Sequence, residues 1–441
     1  MTAHHASLVS KPQRPLAVCV AALTSVAAGT AMAQVTAIEP SPSIVVVQNC
    51  NDSGAGSLRA AFANAADGET IDLSQLVCSR ITLGSALVDP IAATSVTLIG
   101  PGRDQLAIDG DDRYRVLVHR GAGELRVESL TITNGHYAGA HGGCVYSAGD
   151  VRAIGSVIAS CVLDTLEPAA TGGAIYAKAL VGLYDSTVRD SSATAPGGYN
   201  SRGGGIYSAG FVMSRSTVSG NSAGKGGGIH TSGGIVDIED STLSGNHALY
   251  GGALVAPALG AHQIRNSTLS GNTAKLYGGA IYADLLTMYN CTIAGNVIAS
   301  PLPAGAGLFV TTLTLQSSIV ANNTADNGLL ENDVVAFNAI AGSNNLIMAS
   351  TGPVPAGTIT VDPKLGPLQA NGGATWTHAL PPGSPAIDKG SNLLQFDGDQ
   401  RGARFGRVAG SGADIGAFEF TDTLFRSDFE PVEIAFSARS Q

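Results

Sequence analysis

Ser241-Thr-Leu-Ser-Gly-Asn246 returns 26 residues later as Ser267-Thr-Leu-Ser-Gly-Asn272, and each copy is followed by a second motif, Gly251-Gly-Ala-Leu-Val255 or Gly278-Gly-Ala-Ile-Tyr282. Two motifs that share one period make the repeat a single structural unit. Working outward, the first motif recurs from Ser129, Ser156, Ser186, Ser216, Cys291 and Ser317, at intervals of 27, 30, 30, 25, 26, 24 and 26 residues along the whole series. The second recurs from Gly142, Gly172, Gly203, Gly226 and, in degenerate form, Gly305.

Each unit holds short β-branched runs separated by Gly, Asn and Ser, with no 10-residue stretch at helical period. Helical solenoids are therefore excluded. Leucine-rich repeats would need a leucine ladder, and propeller blades about 40 residues each. What remains is an all-β solenoid, a parallel β-helix whose coils of roughly 25 residues stack about 4.8 Å apart. Alternation then places Val, Ile and Leu inside and Thr, Ser, Asp and Arg outside. Asn221, Asn246, Asn272, Asn296 and Asn322 follow the first motif by five residues. They are expected to stack at one corner as an amide ladder rather than to form a sugar-binding row on the surface.

The spacing divides the chain into a leader (1–33), a linker (34–49), an N-terminal cap (50–78), the β-helix (79–350), a small loop- and strand-rich C-terminal domain (351–420) and a tail (421–441). In the leader, Lys11 and Arg14 precede an apolar run that ends in Ala31-Met-Ala33, the layout of a secretory signal. In the cap, Ser57 precedes Leu58, Ala61, Phe62 and Ala65, which share one face of a short helix that would plug the solenoid. The first coils are expected from Thr70–Leu73, Ile81–Leu83, Val96–Ile99 and Leu106–Ile108.

Glycine supplies 57 of 441 residues without a three-residue period, which excludes collagen, and a hydrophobic fraction of 44% argues against disorder. Loss of the leader removes two cations and no acid, so the net charge goes from -10 to -12. Such a chain is not expected to bind nucleic acid or an anionic bilayer non-specifically. Export permits disulfides, and pairing within the couples Cys50–Cys78 and Cys144–Cys161 leaves Cys291 where neighbouring repeats have Ser.

Candidate chemistry is sparse. Asp109, Asp111 and Asp112, next to Arg113 and Arg115, form the densest acidic cluster, where a catalytic carboxylate set or bound calcium is weighed against an ordinary turn. Asp397 and Asp399 offer a second calcium alternative, against which stands a salt bridge to Arg401 or Arg404. His136 and His141 lack a third ligand nearby, so no metal or other cofactor is assigned. Tyr146, Tyr176, Tyr207 and Tyr282 recur in phase, and the expectation is an internal stack filling the core rather than an outer stripe.

Three resemblances join this reading. Ser57-Leu-Arg-Ala-Ala61, then Gly68-Glu-Thr-Ile71, Thr97-Leu-Ile-Gly-Pro-Gly102 and Leu106-Ala-Ile-Asp-Gly110, resemble the bacterial proteins named for a Cys-Ser-Leu-Arg-Glu-Ala motif, although Gly56 and Ala60 replace its Cys and Glu. The Gly-Gly-Ala-Ile and Ser-Gly-Asn repeats resemble polymorphic outer-membrane protein repeats, without their Phe-x-x-Asn half. Asp362-Pro-Lys-Leu-Gly-Pro-Leu368, Asn371-Gly-Gly373, Gly383-Ser-Pro-Ala-Ile-Asp388, Asp399-Gln-Arg-Gly402 and Asp414-Ile-Gly-Ala-Phe-Glu419 resemble the choice-of-anchor Q domain. Together they imply a secreted, adhesin-like, right-handed β-helix of the pectate-lyase-like superfamily from a Gram-negative bacterium. The tail Phe425-Arg-Ser-Asp-Phe-Glu430 resembles endings of some secreted gammaproteobacterial proteins, and residues 421–441 are not expected to form a membrane barrel. The expected function is binding of a glycan or cell-surface polymer by a monomer, with outer-membrane association and without catalysis. The alternative is a polysaccharide lyase or glycoside hydrolase.

Overall fold

The computed structural model describes residues 43–257, 260, 262–301 and 304–421, so the expected leader and the tail motif lie outside it. The described residues build a parallel β-solenoid. Its narrow sheet has 11 strands, one per coil, from Arg80–Thr82 to Leu346–Ile347. A broad sheet of 20 strands takes two strands from most coils, such as Val145–Ser147 and Asp150–Ile154, and these merge into Ile281–Tyr289 and Leu308–Gln316 further along. Short parallel pieces close the third side.

The coil turns where the backbone enters the left-handed region. One corner precedes each motif serine and is held by Asp185, Arg215, Asp240, Asn266 and Asn290, and a second lies five residues on, at Asn134, Ser160, Asp190, Gly220, Gly245, Gly271 and Gly295. Asn, Asp and Gly tolerate this conformation best, which is why these types punctuate the repeat. Between the corners the apolar residues point inward, and one continuous core runs from Val47 to Ile347.

Hydrogen-bonded ladders lock neighbouring coils together. The N–H groups of Ser156, Ser186, Ser216 and Ser241 donate to the hydroxyls of Ser186, Ser216, Ser241 and Ser267 at 2.9–3.1 Å. Cys291 continues this row with a buried thiol whose pKa burial pushes up to about 12. Beside it, the N–H and side-chain amide of Asn221 both donate to Asn246 Oδ1 at 3.0 Å, and Asn246 and Asn272 repeat the pattern toward Asn272 and Asn296. All four amides are buried, so the ladder is internal.

The ladder departs from expectation at its fifth member. Thr292 pairs with Ile319, so Ser318, not Ser317, stacks on Cys291, and Asn323 accepts from Asn296 at 3.0 and 2.8 Å. Asn322 is exposed, at the left-handed corner (φ 58°) where the coil above has Gly295. The doublets Ser317-Ser318 and Asn322-Asn323 fit either frame by composition, and the corner requirement decides. The same one-residue shift occurs at the first repeat, where Leu130 rather than Ser129 stacks on Ser156. Asp333 ends the ladder by accepting from Asn323 N–H and Nδ2 at 3.0 and 2.7 Å.

At the N-terminal end the expected linker is partly structural: Ile44–Val46 is a strand paired with Glu69–Asp72, so coiling begins before residue 79. Helix α1 (Leu58–Ala63) is capped by Ser57, whose hydroxyl accepts from Ala60 N–H, and Leu58 and Phe62 bury fully against the first coil. Disulfides join Cys50 to Cys78 at this cap and Cys144, at a glycine corner, to Cys161 at the head of the Asn ladder.

Residues 365–420 lie along the outer face of the narrow sheet. Thr242 Oγ1 donates to Trp376 O at 2.7 Å, Thr268 Oγ1 to Gln400 Oε1 at 2.6 Å, and Ala417 N–H to Thr292 Oγ1 at 3.0 Å. Leu380, Ala386, Ile415 and Phe418 pack on Ile319, Ala321 and Leu346. Threonines that alternation assigns to solvent are thus buried from residue 242 onward, and the broad sheet is left as the long open face.

Candidate functional site

The structure does not bring the first acidic cluster together. Asp109 is buried, paired with Arg80, and accepts from Asp111 N–H at 2.8 Å and from the Asn134 amide at 3.2 Å. Asp111 and Asp112 occupy consecutive left-handed turn positions and stand exposed. The second couple divides by environment, although both residues border one pocket. Asp399 is fully buried and spends both oxygens on Arg401 and on the N–H groups of Arg401 and Glu419, while Asp397 faces solvent. Arg401 is itself held between the rings of Phe405 and Phe418, at 4.0 and 3.7 Å. Among the described residues no group of three or more His, Cys, Asp or Glu side chains is placed to hold a metal. His136 meets Asp112 O, and His141 bonds Thr171 Oγ1 and stacks on Tyr176 at 4.4 Å.

One acidic pocket was not legible in the sequence. Glu239 and Asp240, on a coil corner, meet Asp397 and Asp399 across 157 or more residues around a volume of about 320 Å³. Burial raises the Asp240 pKa to about 6, although Asn266 Nδ2 donates to it at 2.8 Å. Burial likewise raises Asp333 to about 6 and Glu419 to about 7. These three carboxyls hold protons more tightly folded than unfolded, so their contribution to stability is complete below about pH 4 and is lost as pH rises through 6 to 7. The thermal midpoint is expected to be a few °C higher at pH 5 than at pH 8. Differential scanning calorimetry checks this, and a midpoint that falls on acidification would refute it.

The tyrosines correct an expectation. Val145, Ile175, Ile206 and Ile281, just before them, are fully buried, so Tyr146, Tyr176, Tyr207 and Tyr282 point out of the broad sheet. Register stacks Tyr146, Tyr176, Tyr207 and His230 with centroids 5.4, 5.6 and 5.4 Å apart and planes within 17°. The row resumes with Tyr282 and Phe309, 5.5 Å apart. Within it, the faces of the rings are taken up by one another, leaving edges and hydroxyls to solvent.

The row breaks at one rung. Val255 pairs with His230 on one side and Tyr282 on the other, where a ring would stand. The gap spans two rungs, about 9.6 Å, and beside it opens a cleft of about 390 Å³ lined by Arg202, Lys225, His230, Tyr250 and Tyr282. Tyr250 meets Tyr282 edge-on at 6.3 Å, and the Lys225 ammonium stands 5.8 Å over the Tyr250 ring. Periodic tyrosines were visible in the sequence; a missing ring in an outer row is visible only once strand faces and register are known.

Residues 215–232 and 266–284 match the Chlamydia polymorphic membrane protein repeat. Each stretch contains a ladder serine, Ser216 or Ser267, and a residue of the ring row, His230 or Tyr282. A crystal structure of pectate lyase Pel9A superposes with a TM-score of 0.48 and 14% identity, covering 86% of this chain and 97% of that one. No curated protein matches the chain.

Proposed function

We propose that the protein is displayed at the surface of a Gram-negative bacterium and binds a glycan or similar surface polymer along the ring-bearing face of its broad sheet, without cleaving it. The observation that carries this reading is the interrupted ring row: it lies on the long face left uncovered by residues 365–420, and beside the interruption is a cleft lined by the half-buried rings of Tyr250 and Tyr282. Flat apolar ring faces pack against the C–H faces of sugars, and polar groups at the rim orient them. The two repeat matches support surface display, and residues 1–33 supply the export signal of this reading. Binding occurs as a monomer, with the choice-of-anchor Q-like residues 351–420 clamping the solenoid.

Tyr282→Ala is expected to weaken retention on cell-surface glycan about three- to tenfold, the value of one aromatic contact. Trp376→Ala, over the narrow sheet, leaves retention unchanged. Equal behaviour of the two variants would overturn the placement. The competing reading, a polysaccharide lyase or hydrolase, draws on the acidic pocket at Asp240. Release of reducing or unsaturated ends from polygalacturonate or alginate, abolished in Asp240→Asn, would put catalysis in place of binding.

A further inference from the structure

We infer that the cleft at the missing rung selects acidic sugars, taking the carboxylate or sulfate of a pyranose between Arg202 and Lys225 while its ring packs on Tyr282. This rests on the glycan-binding reading and narrows it to one substrate class.

The backbones of Arg202 and Lys225 pair across adjacent coils, about one rung or 4.8 Å apart, and both residues line the same cleft. Among the described residues neither forms an ion pair, in a chain whose net charge is -10. Elsewhere on the solenoid, stacked cations meet acids: Arg152 meets Glu124, Arg215 meets Asp185, and Arg265 meets Asp237 and Glu239. Two uncompensated cations beside apolar walls repel each other, and an anion between them removes that repulsion.

Two buried polar atoms at the same place also lack partners. Among the described residues Arg202 Nε has no hydrogen-bond partner, and neither has His230 Nδ1, on a residue only 5% exposed that lines the cleft. Burial and the two neighbouring cations lower the His230 pKa to about 3, so the imidazole is neutral and adds no third charge to the cleft. Arginine grips a planar carboxylate or a sulfate with paired donors, and lysine adds a point charge. A free inorganic anion would leave the ring faces unused; a neutral sugar would leave the cations unpaired.

The test titrates the full chain with three oligosaccharides of matched length, one uronate, one sulfated and one neutral, by calorimetry. The wild type is expected to bind at least one acidic oligomer tenfold or more tighter than the neutral one, with affinity falling as salt rises. Whichever acidic oligomer is preferred identifies the source of the anion. Arg202→Gln with Lys225→Gln should abolish the preference while leaving neutral binding in place. Val255→Tyr, which puts a ring at the missing rung and fills the cleft, should abolish binding of all three, with circular dichroism checking that the variant stays folded. Equal affinity for acidic and neutral oligomers, or a preference that survives the double substitution, overturns the inference and leaves the glycan reading standing. A wild type that binds none of the three while Tyr282→Ala still changes retention on cells overturns the acidic-sugar inference alone; no binding in either assay overturns both.

Discussion

Asn272→Ala is expected to destabilise the protein by about 4 kcal/mol. The substitution removes the Oδ1 that accepts both the N–H and the side-chain amide of Asn246, and the Nδ2 that donates to Leu243 O. All these groups are buried, so water does not replace the lost partners, and each stranded group costs about 1–3 kcal/mol. The truncated side chain leaves a small cavity besides. The effect should spread, because cutting the ladder mid-row uncouples the coil above from the coil below. Urea midpoints measure it, and the companion variants test the frame. Asn323→Ala should behave like Asn272→Ala, whereas Asn322→Gly should stay within about 0.5 kcal/mol of wild type, since a left-handed corner suits glycine. The reverse order at 322 and 323 would show the register at that coil to be wrong.

Gly173→Ala is expected to cost at least about 3 kcal/mol, or to prevent folding. The added Cβ would sit against Gly204 O of the next coil and Ser192 O, both backbone atoms, closer than carbon and oxygen approach. Neither can move aside without breaking the pairing of Gly173 N–H with Gly203 O at 2.9 Å. The preceding glycine has a different duty: Gly172 (φ 72°) makes the turn itself. Ala306 shows the rule by its exception. It occupies the place of Gly173 where the next coil carries Asn332, whose Oδ1 accepts from Gly305 N–H at 2.7 Å, in place of another glycine pair. Ala306→Gly should therefore change stability by less than about 1 kcal/mol. A Gly173→Ala protein as stable as wild type would mean the coils are not held this closely.

The register slips at Ser129 and Ser317 show where reading by motif stops. Motif spacing placed every coil to within one residue, but a Ser-Ser or Asn-Asn doublet satisfies the pattern in two frames. Only the neighbouring coil chooses, by which residue it pairs and which it turns. The tyrosines show the same boundary. Period alone says that they stack, and inside or outside depends on whether Ile or Tyr fills the core; Ile175 and Ile206 do, because a branched aliphatic packs fully while a tyrosine would bury its hydroxyl without a partner. The acidic candidates were legible as residues but not as a site. Asp109 and Asp399 were drawn into ion pairs with Arg80 and Arg401, and Asp240 came to face Asp397 through packing that no local spacing encodes.

The repeat, the solenoid, the inward aliphatics and the Asn row from 221 to 296 were determined by the sequence itself, because each follows from a period or a residue's own preference, repeated until one architecture is left. The covering of the narrow sheet, the shift to Asn323 and the gap at Val255 beside Arg202 and Lys225 were decided by tertiary structure alone. They depend on contacts such as Gln400 with Thr242, 158 residues apart, or on which neighbour a strand lies against. A repeating chain states its average coil many times over; its singular features arise where one coil differs from the next, and that difference acquires meaning only when the coils are stacked.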